Sequence, residues 1–279
     1  MKKRLLLVVC ICIISMLAIV GCGSVSSASI LLDMAKNTKE VKSVDMNIKM
    51  VMDMDTTADG NTTNAKIDCD MNGKVTTDPE VCMIDGKMDM SFLGMNQAMN
   101  LKSYSAKEED GSYTSYTYDE SKSVWVKINT SIDKEGLGEL ANFEAMNGIF
   151  DNFVLSEETT TVNNVNCHKL TGTVEGEDLS KMLGSVESLG SNLGDSVKGL
   201  KVNVELYVNA KDMVPVQIKL DFKDSDISSS MGITDGSNVK INEYYITMTY
   251  NGINTIDKLE VPEDVKASAV EDTTGLSVE

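Results

Sequence analysis

One histidine, one tryptophan, three prolines and a single arginine serve a chain of 279 residues. The arginine is Arg4, so everything after it lacks the planar fork that grips carboxylates and phosphates through paired hydrogen bonds. With His168 as the only imidazole, a Ser-His-Asp triad would have to be built around that residue. A zinc centre takes several His or Cys ligands. These shortages argue against hydrolytic and metal-dependent enzymes, and the chain is read as non-catalytic, with no cofactor and no metal. Basic charge is short as well: 25 basic against 43 acidic side chains give −18, and without Lys2, Lys3 and Arg4 the balance is 22 − 43 = −21. Such a charge repels nucleic acid and anionic headgroups, so no nucleic-acid partner is expected. The three prolines leave no proline-rich linker, and no repeat of solenoid period is visible.

Long apolar runs are confined to the first 20 residues. Lys2, Lys3 and Arg4 precede Leu5 to Ile14 and Met16 to Val20, and Gly21-Cys22 follow. An uncleaved anchor is the alternative, but the run is shorter than the roughly 20 residues a spanning helix needs. Ile19-Val20-Gly21-Cys22 resembles the lipobox of bacterial lipoproteins. The resemblance implies residues 1–21 as a signal peptide, acylation of Cys22, and residues 22–28 as a flexible tether. Each buried CH₂ contributes about 0.8 kcal/mol, so two or more acyl chains hold a protein on a bilayer. The expected location is the outer face of the plasma membrane of a Gram-positive cell.

Six cysteines are present; Cys10 and Cys12 leave with the signal and Cys22 takes the lipid. Cys69, Cys82 and Cys167 remain, so at most one internal bridge can form. A turn centred on Thr77-Asp78 sets Cys69 opposite Gly86, too far from Cys82 for a bridge, whereas a shifted register would bring the two together. The reading leans towards no disulfide.

Residues 29–40 have helical spacing. From Val44 the period becomes two, through Met46, Ile48, Met50, Met52 and Met54, with Val51 as the exception. Further strands are predicted over residues 65–75, 81–90, 96–106, 112–118, 123–129, 152–156, 159–162, 165–174, 202–208, 216–222 and 239–250. Apolar parity shifts near Asn242-Glu243, which predicts a bulge. Asn251-Gly252 is read as a turn and residues 253–261 as a closing strand. Amphipathic helices are predicted over 134–150 and 178–197, the latter interrupted by Gly184, Gly190 and Gly194. The tail from Pro262, residues 263–279 above all, is acidic and read as disordered.

The resulting fold class is mainly β: one large curled antiparallel sheet of eleven to thirteen strands, a half-barrel, with an N-terminal helix and two inserted helices covering its concave face. Val41-Lys42-Ser43, Trp125-Val126-Lys127, Val214-Pro215-Val216 and Leu259-Glu260-Val261-Pro262, in that order, make residues 29–262 resemble the LolA/LppX-like half-barrel lipoproteins, and more closely a group of Firmicute surface lipoproteins. The resemblance implies a sheet–helix cavity that binds acyl chains. The arginine of some outer-membrane carriers has no counterpart here, because the mature chain has none.

The candidate chemistry is a methionine wall. Met46, Met50, Met52, Met54, Met71, Met83, Met88, Met90, Met95 and Met99 crowd the first four strands. Methionine is unbranched and polarizable and adapts to varied apolar shapes. The candidate lining is Met46, Met50, Met52, Met54, Met71, Met88 and Met90 from the sheet, with Phe143, Met182 and Val186 from the inserted helices. An ordinary core explains the same residues, and a Cu(I) site is disfavoured because strand alternation spreads the sulfurs along a face. Asp68-x-Asp70-x-Asn72-Gly73 begins like a calcium loop, but its twelfth position is Pro79 where a glutamate is needed. Cys167 and His168 are strand neighbours and point to opposite faces. Tyr104, Tyr113, Tyr116, Tyr118 and Trp125 fit an aromatic surface or plain cross-strand packing. The expected function is a membrane-anchored extracytoplasmic lipoprotein holding an apolar ligand such as a lipid; a sensor or interaction module with a solid core is the alternative.

Overall fold

Side chains that alternate apolar and polar can satisfy one covered and one wetted sheet face at once. The computed structural model, which describes residues 26–58, 60–130, 149, 153–175, 178–179, 200–225 and 238–271, resolves that alternation into a single large sheet. Helix α1 (Ser27–Asn37) leads into β1 (Ser43–Ala58), β2 (Asn61–Thr77), β3 (Glu80–Phe92), β4 (Met95–Lys107), β5 (Tyr113–Asp119) and β6 (Val124–Thr130). After these come β7 (Val154–Leu155), β8 (Thr160–Val162), β9 (Val165–Glu175), β10 (Lys201–Asn209), β11 (Pro215–Asp221), β12 (Asn238–Ile253), helix α2 (Glu263–Ser268) and β13 (Val270–Glu271). The order across the sheet is β13-β6-β5-β4-β3-β2-β1-β12-β11-β10-β9-β7, with β8 beside β9. All pairs are antiparallel except β13 with β6.

Helix α1 is closed at its start by Ser26, whose hydroxyl accepts from the Ser29 amide (3.1 Å) while Ser29 Oγ accepts from the Ser26 amide (3.0 Å). Ile30 and Met34 are buried and join the main core with Met54, Leu170, Val204, Leu206, Ile218 and Leu220. At the other end Asn37 Nδ2 donates to the Asp212 carbonyl (2.9 Å) in the β10–β11 turn. The face that α1 covers is called inner below.

The predicted bulge is present. Asp53 faces Glu243 and Met54 faces Ile241, leaving Asn242 as the extra residue. Asn163-Asn164, both at positive φ (49° and 64°), make the tight turn between β8 and β9. Four expectations are corrected. Asn251-Gly252 is no turn: β12 runs through it to Ile253, Asn251 is a second bulge residue, and its amide donates to Asp45 Oδ1 (3.3 Å). Residues 254–262 form no strand. The tail from Pro262 carries α2 and β13, because Val261 and Val265 bury themselves against Val81 and Tyr116. The β2–β3 turn is centred one residue later than expected, so Cys69 faces Met88, not Gly86. Cys82 then lies opposite Val75, six strand positions from the level of Cys69, and Cys69, Cys82 and Cys167 are buried free thiols. Burial pushes the Cys82 thiol up to about 11. Cys22, residues 1–21 and most of the two inserted segments lie outside the described residues.

Candidate functional site

Residues directly opposite one another in an antiparallel pair point to the same face, so the register reads out the inner face row by row. Met46 is level with Tyr250, Gly73 and Ile84; Ile48 with Met248, Met71 and Gly86. The next row is Ile246, Met50, Cys69, Met88 and Met99, followed by Tyr244, Met52, Ile67, Met90 and Gln97. The last is Ile241, Met54, Ala65, Phe92 and Met95. These rows contain no Asp, Glu or Lys. The seven sheet methionines expected to form one wall therefore do share one face. Met83 does not: it is level with Lys74 and Tyr104, on the outer face.

The wall divides by burial. Met46 (4% exposed) and Met54 (1%) are core filling, and Cys69 (0%) lies beneath its neighbours. Met50, Met52, Met71, Met88, Met90 and Met99 are half-buried, and the turn beyond them exposes Phe92 and Met95. Over β9–β11 the same face is closed: Leu170, Val202, Leu206 and Val208 are 0% exposed and Ile218 and Leu220 1% and 2%, while the inner residues of β12 are half-buried. Phe222 stacks on Tyr244 at 4.5 Å, and burial raises the Tyr244 phenol and pushes that of Tyr250 well above its ordinary range. Phe143, Met182 and Val186 lie outside the described residues.

The outer face is built from charges and amides. Asn64 Nδ2 donates to Asp53 Oδ1 and Asp55 Oδ1 (2.9 Å each), and the bulge aims Asn242 Nδ2 at Asp53 Oδ1 (3.1 Å) and Asp55 Oδ2 (2.9 Å). Hydrogen bonds from Asn64, then Asn242, hold the Asp53 carboxyl below its ordinary range; for Asp55 Asn242 leads. The sign follows: a lowered carboxyl contributes stability above its unfolded value and loses it as pH falls through the folded one. Substituting Asn242→Ala is therefore expected to move both carboxyl titrations up towards 3.8 and to bring acid loosening of this corner to higher pH. Carbon-detected NMR titration from about pH 5 to about pH 2 reads it.

The calcium-like run Asp68-x-Asp70-x-Asn72 lies inside extended β2, where its side chains line the outer face and Asn47 Nδ2 donates to Asp70 Oδ1 (2.7 Å). No group of three His, Cys, Asp or Glu among the described residues could hold a metal ion. His168 is half-buried beside Val208 on the inner side, while the buried Cys167 points the other way. Glu205 accepts from Lys169 Nζ (2.6 Å) and the Tyr207 hydroxyl (2.7 Å). Burial alone would raise its carboxyl, and these bonds outweigh it to a net lowering. Outer-face grooves of about 340 to 360 Å³ are lined by such residues, among them Asp53 and Lys219, Asp85 and Lys102, and Lys66 and Asp89. Near the β6 edge, Val81, Tyr104, Tyr116 and Trp125 pack under Leu259, Val261 and Val265, so the aromatic cluster is a covered core. Of its covering strap, residues 254–261 carried a strand-like pattern in the sequence and the six-residue α2 none.

In backbone the chain is similar to LprF from Mycobacterium bovis (TM-score 0.49, 13% identity, 85% of this chain and 96% of that one). It is also similar to the lipoprotein LppX of Mycobacterium tuberculosis (TM-score 0.38, 13% identity, 84% and 99%) and to a LolA superfamily protein from Nitrosomonas europaea (TM-score 0.22, 11% identity, 87% and 97%). A search of the curated proteins gives no match. The profile of a family of unknown function, DUF6612, matches residues 26–270. That match spans nearly the whole sheet, and the chain belongs to the DUF6612 family.

Proposed function

We propose that this chain is a lipid-anchored extracytoplasmic lipoprotein that holds an apolar ligand, a lipid acyl chain being the simplest, against the inner face of β1–β4. The observation that carries this reading is the set of uncharged, sulfur-rich rows whose members Met50, Met52, Met71, Met88 and Met90 stay half-exposed. Five half-open methionines side by side are a poor way to finish a core and a good way to meet a ligand of variable shape. No bond chemistry is involved; burial of apolar surface, about 25 cal/mol per Å², drives binding. Cys22 supplies the anchor, and Phe143, Met182 and Val186 complete the lining in this reading.

Native mass spectrometry of detergent-free protein tests it. The wild type is expected to carry apolar adducts, and Met88→Lys to lower their occupancy about tenfold, since a lysine in the middle of the rows has no partner carboxylate there. Adduct-free wild type would remove the reading. A second reading, an envelope interaction or sensor module with a solid core, draws on β9–β11, where the inner face is filled. It expects no adduct and no effect of Met88→Lys.

A further inference from the structure

The β3–β4 hairpin turns on Leu93 and Gly94, at φ 52° and 75°. Two consecutive positive φ values favour Asn or Asp followed by Gly; a leucine there is disfavoured by its own Cβ. That leucine is 62% exposed, and its neighbours Phe92 and Met95 are 52% and 67% exposed. In a chain whose residues are 24% charged, no charged residue stands between Asp89 and Lys102. The adjoining β1–β2 turn, at the same end of the sheet, reads Gly60-Asn61-Thr62. Neither turn geometry nor solubility accounts for apolar bulk at the first turn and not at the second.

Two further observations say what covers it. First, the tip continues the inner face: Phe92 is level with Ala65 and Met95, and the rows of Met90 with Met52 and of Met88 with Met50 follow directly behind. Second, α1 lies over the same inner face, with its C-terminal end pinned to the β10–β11 turn. With Cys22 acylated, only three residues, Gly23 to Val25, stand between the anchor and Ser26, four Cα steps or at most about 14 Å of chain. A tether that short keeps the body at the bilayer surface, where a weak apolar contact is enough. The net negative charge leaves insertion, not headgroup attraction, as the means.

We infer that the Phe92-Leu93-Gly94-Met95 turn is a membrane-docking finger that enters the boundary between headgroups and acyl chains, and that apolar ligand passes between bilayer and inner face along the methionine rows behind it. The passage rests on the function proposed above; the insertion does not.

The test uses the full chain, held by its own anchor in phosphatidylcholine vesicles brominated along the acyl chains. Trp125 is the only native tryptophan and lies under the C-terminal strap, so it reports the background. In Leu93→Trp the added emission is expected to be quenched by about half or more, and in Thr62→Trp, at the adjoining turn, by less than about a tenth. Equal quenching at both positions overturns the finger, and so does an absence of quenching in Leu93→Trp, which would assign the exposed turn to a protein partner. A Leu93→Asn variant, which leaves every inner-face row intact, is expected to keep the wild-type adduct occupancy and to release adduct to acceptor vesicles about tenfold more slowly. Unchanged release overturns the passage. An adduct-free wild type sinks the ligand reading and leaves the quenching result standing on its own.

Discussion

Gly86→Val is expected to yield no folded protein, and Gly86→Ala to cost about 3 kcal/mol. Gly86 sits in the middle of β3, level with Met71 of β2, and a Cβ built on it would lie 2.6 Å from the Met71 Cα and closer still to the Asp70 carbonyl oxygen. Ordinary contact begins at 3.4 Å, so the β2 backbone would have to retreat by at least about 0.8 Å (3.4 − 2.6) in the interior of a continuous sheet. The atoms in the way belong to the backbone of a strand paired on both sides, so no rotamer change relieves the overlap. Overpacking alone costs about 1–3 kcal/mol, and displaced ladder hydrogen bonds add to it. At about 2–4 °C per kcal/mol for a domain of this size, Gly86→Ala should melt roughly 6–12 °C below wild type by calorimetry or circular dichroism. Gly73 is the control. Its added Cβ meets only the flexible Met46 side chain at 3.4 Å, and Gly73→Ala is expected to stay within about 1 kcal/mol of wild type. Equal melting of the two alanine variants would contradict the close approach of β2 and β3.

Val265→Asp is expected to release the C-terminal strap. Val265 (4% exposed) and Val261 (3%) lie on Val81, Tyr104, Tyr116 and Trp125, and beyond them β13 pairs with β6 while Lys127 meets Glu271 at 2.9 Å. The two valines contribute about 1.5–3 kcal/mol each, whereas the exposed ion pair adds less than about 1. An aspartate buried among those aromatics costs more than the strap gains by staying, so the segment should detach and leave the sheet folded. Trp125 is half-buried, touched by Tyr104 and Tyr118 with Lys102 Nζ 5.7 Å from its ring centre. Its emission should shift to the red and become accessible to iodide, with a stability loss of about 3 kcal/mol by urea titration. Unmoved emission would mean that the strap adds nothing to this end of the sheet.

Much of this was legible beforehand, for reasons that differ from element to element. The strands announced themselves because each has one wetted face, and the Asn242 bulge because an extra residue inverts every following side chain. The seven sheet methionines were placed on one face by the same alternation. What the alternation could not supply was depth: Met46 and Met54 share the face and pattern of Met50 and Met88, yet the first two are buried in core clusters and the others stay half-exposed. Asn251-Gly252 misled because the dipeptide serves a bulge as readily as a turn, and the choice depends on Asp45 across the sheet. Glu263 and Asp264 read as part of a disordered acidic tail, whereas they are the favourable first-turn acids of a helix with one buried residue, too brief to leave a period. Gly86 carried no signal at all in one sequence; only the register reveals which backbone it lets in.

The position of β1 between β2 and β12 has a temporal consequence. Val44 is matched to Ile253, and 209 residues (253 − 44) separate the two. Closing a loop of that length costs about 5 kcal/mol of chain entropy, which a nascent chain cannot recover until β12 has been made. The β1–β6 meander assembles from neighbours as it emerges, but one long flank of β1 stays raw until β12 has been made. Ribosome stalling or clipping before Asn238 would therefore strand an unsealed, sticky ribbon, and the chain commits to its native form in one late zippering step.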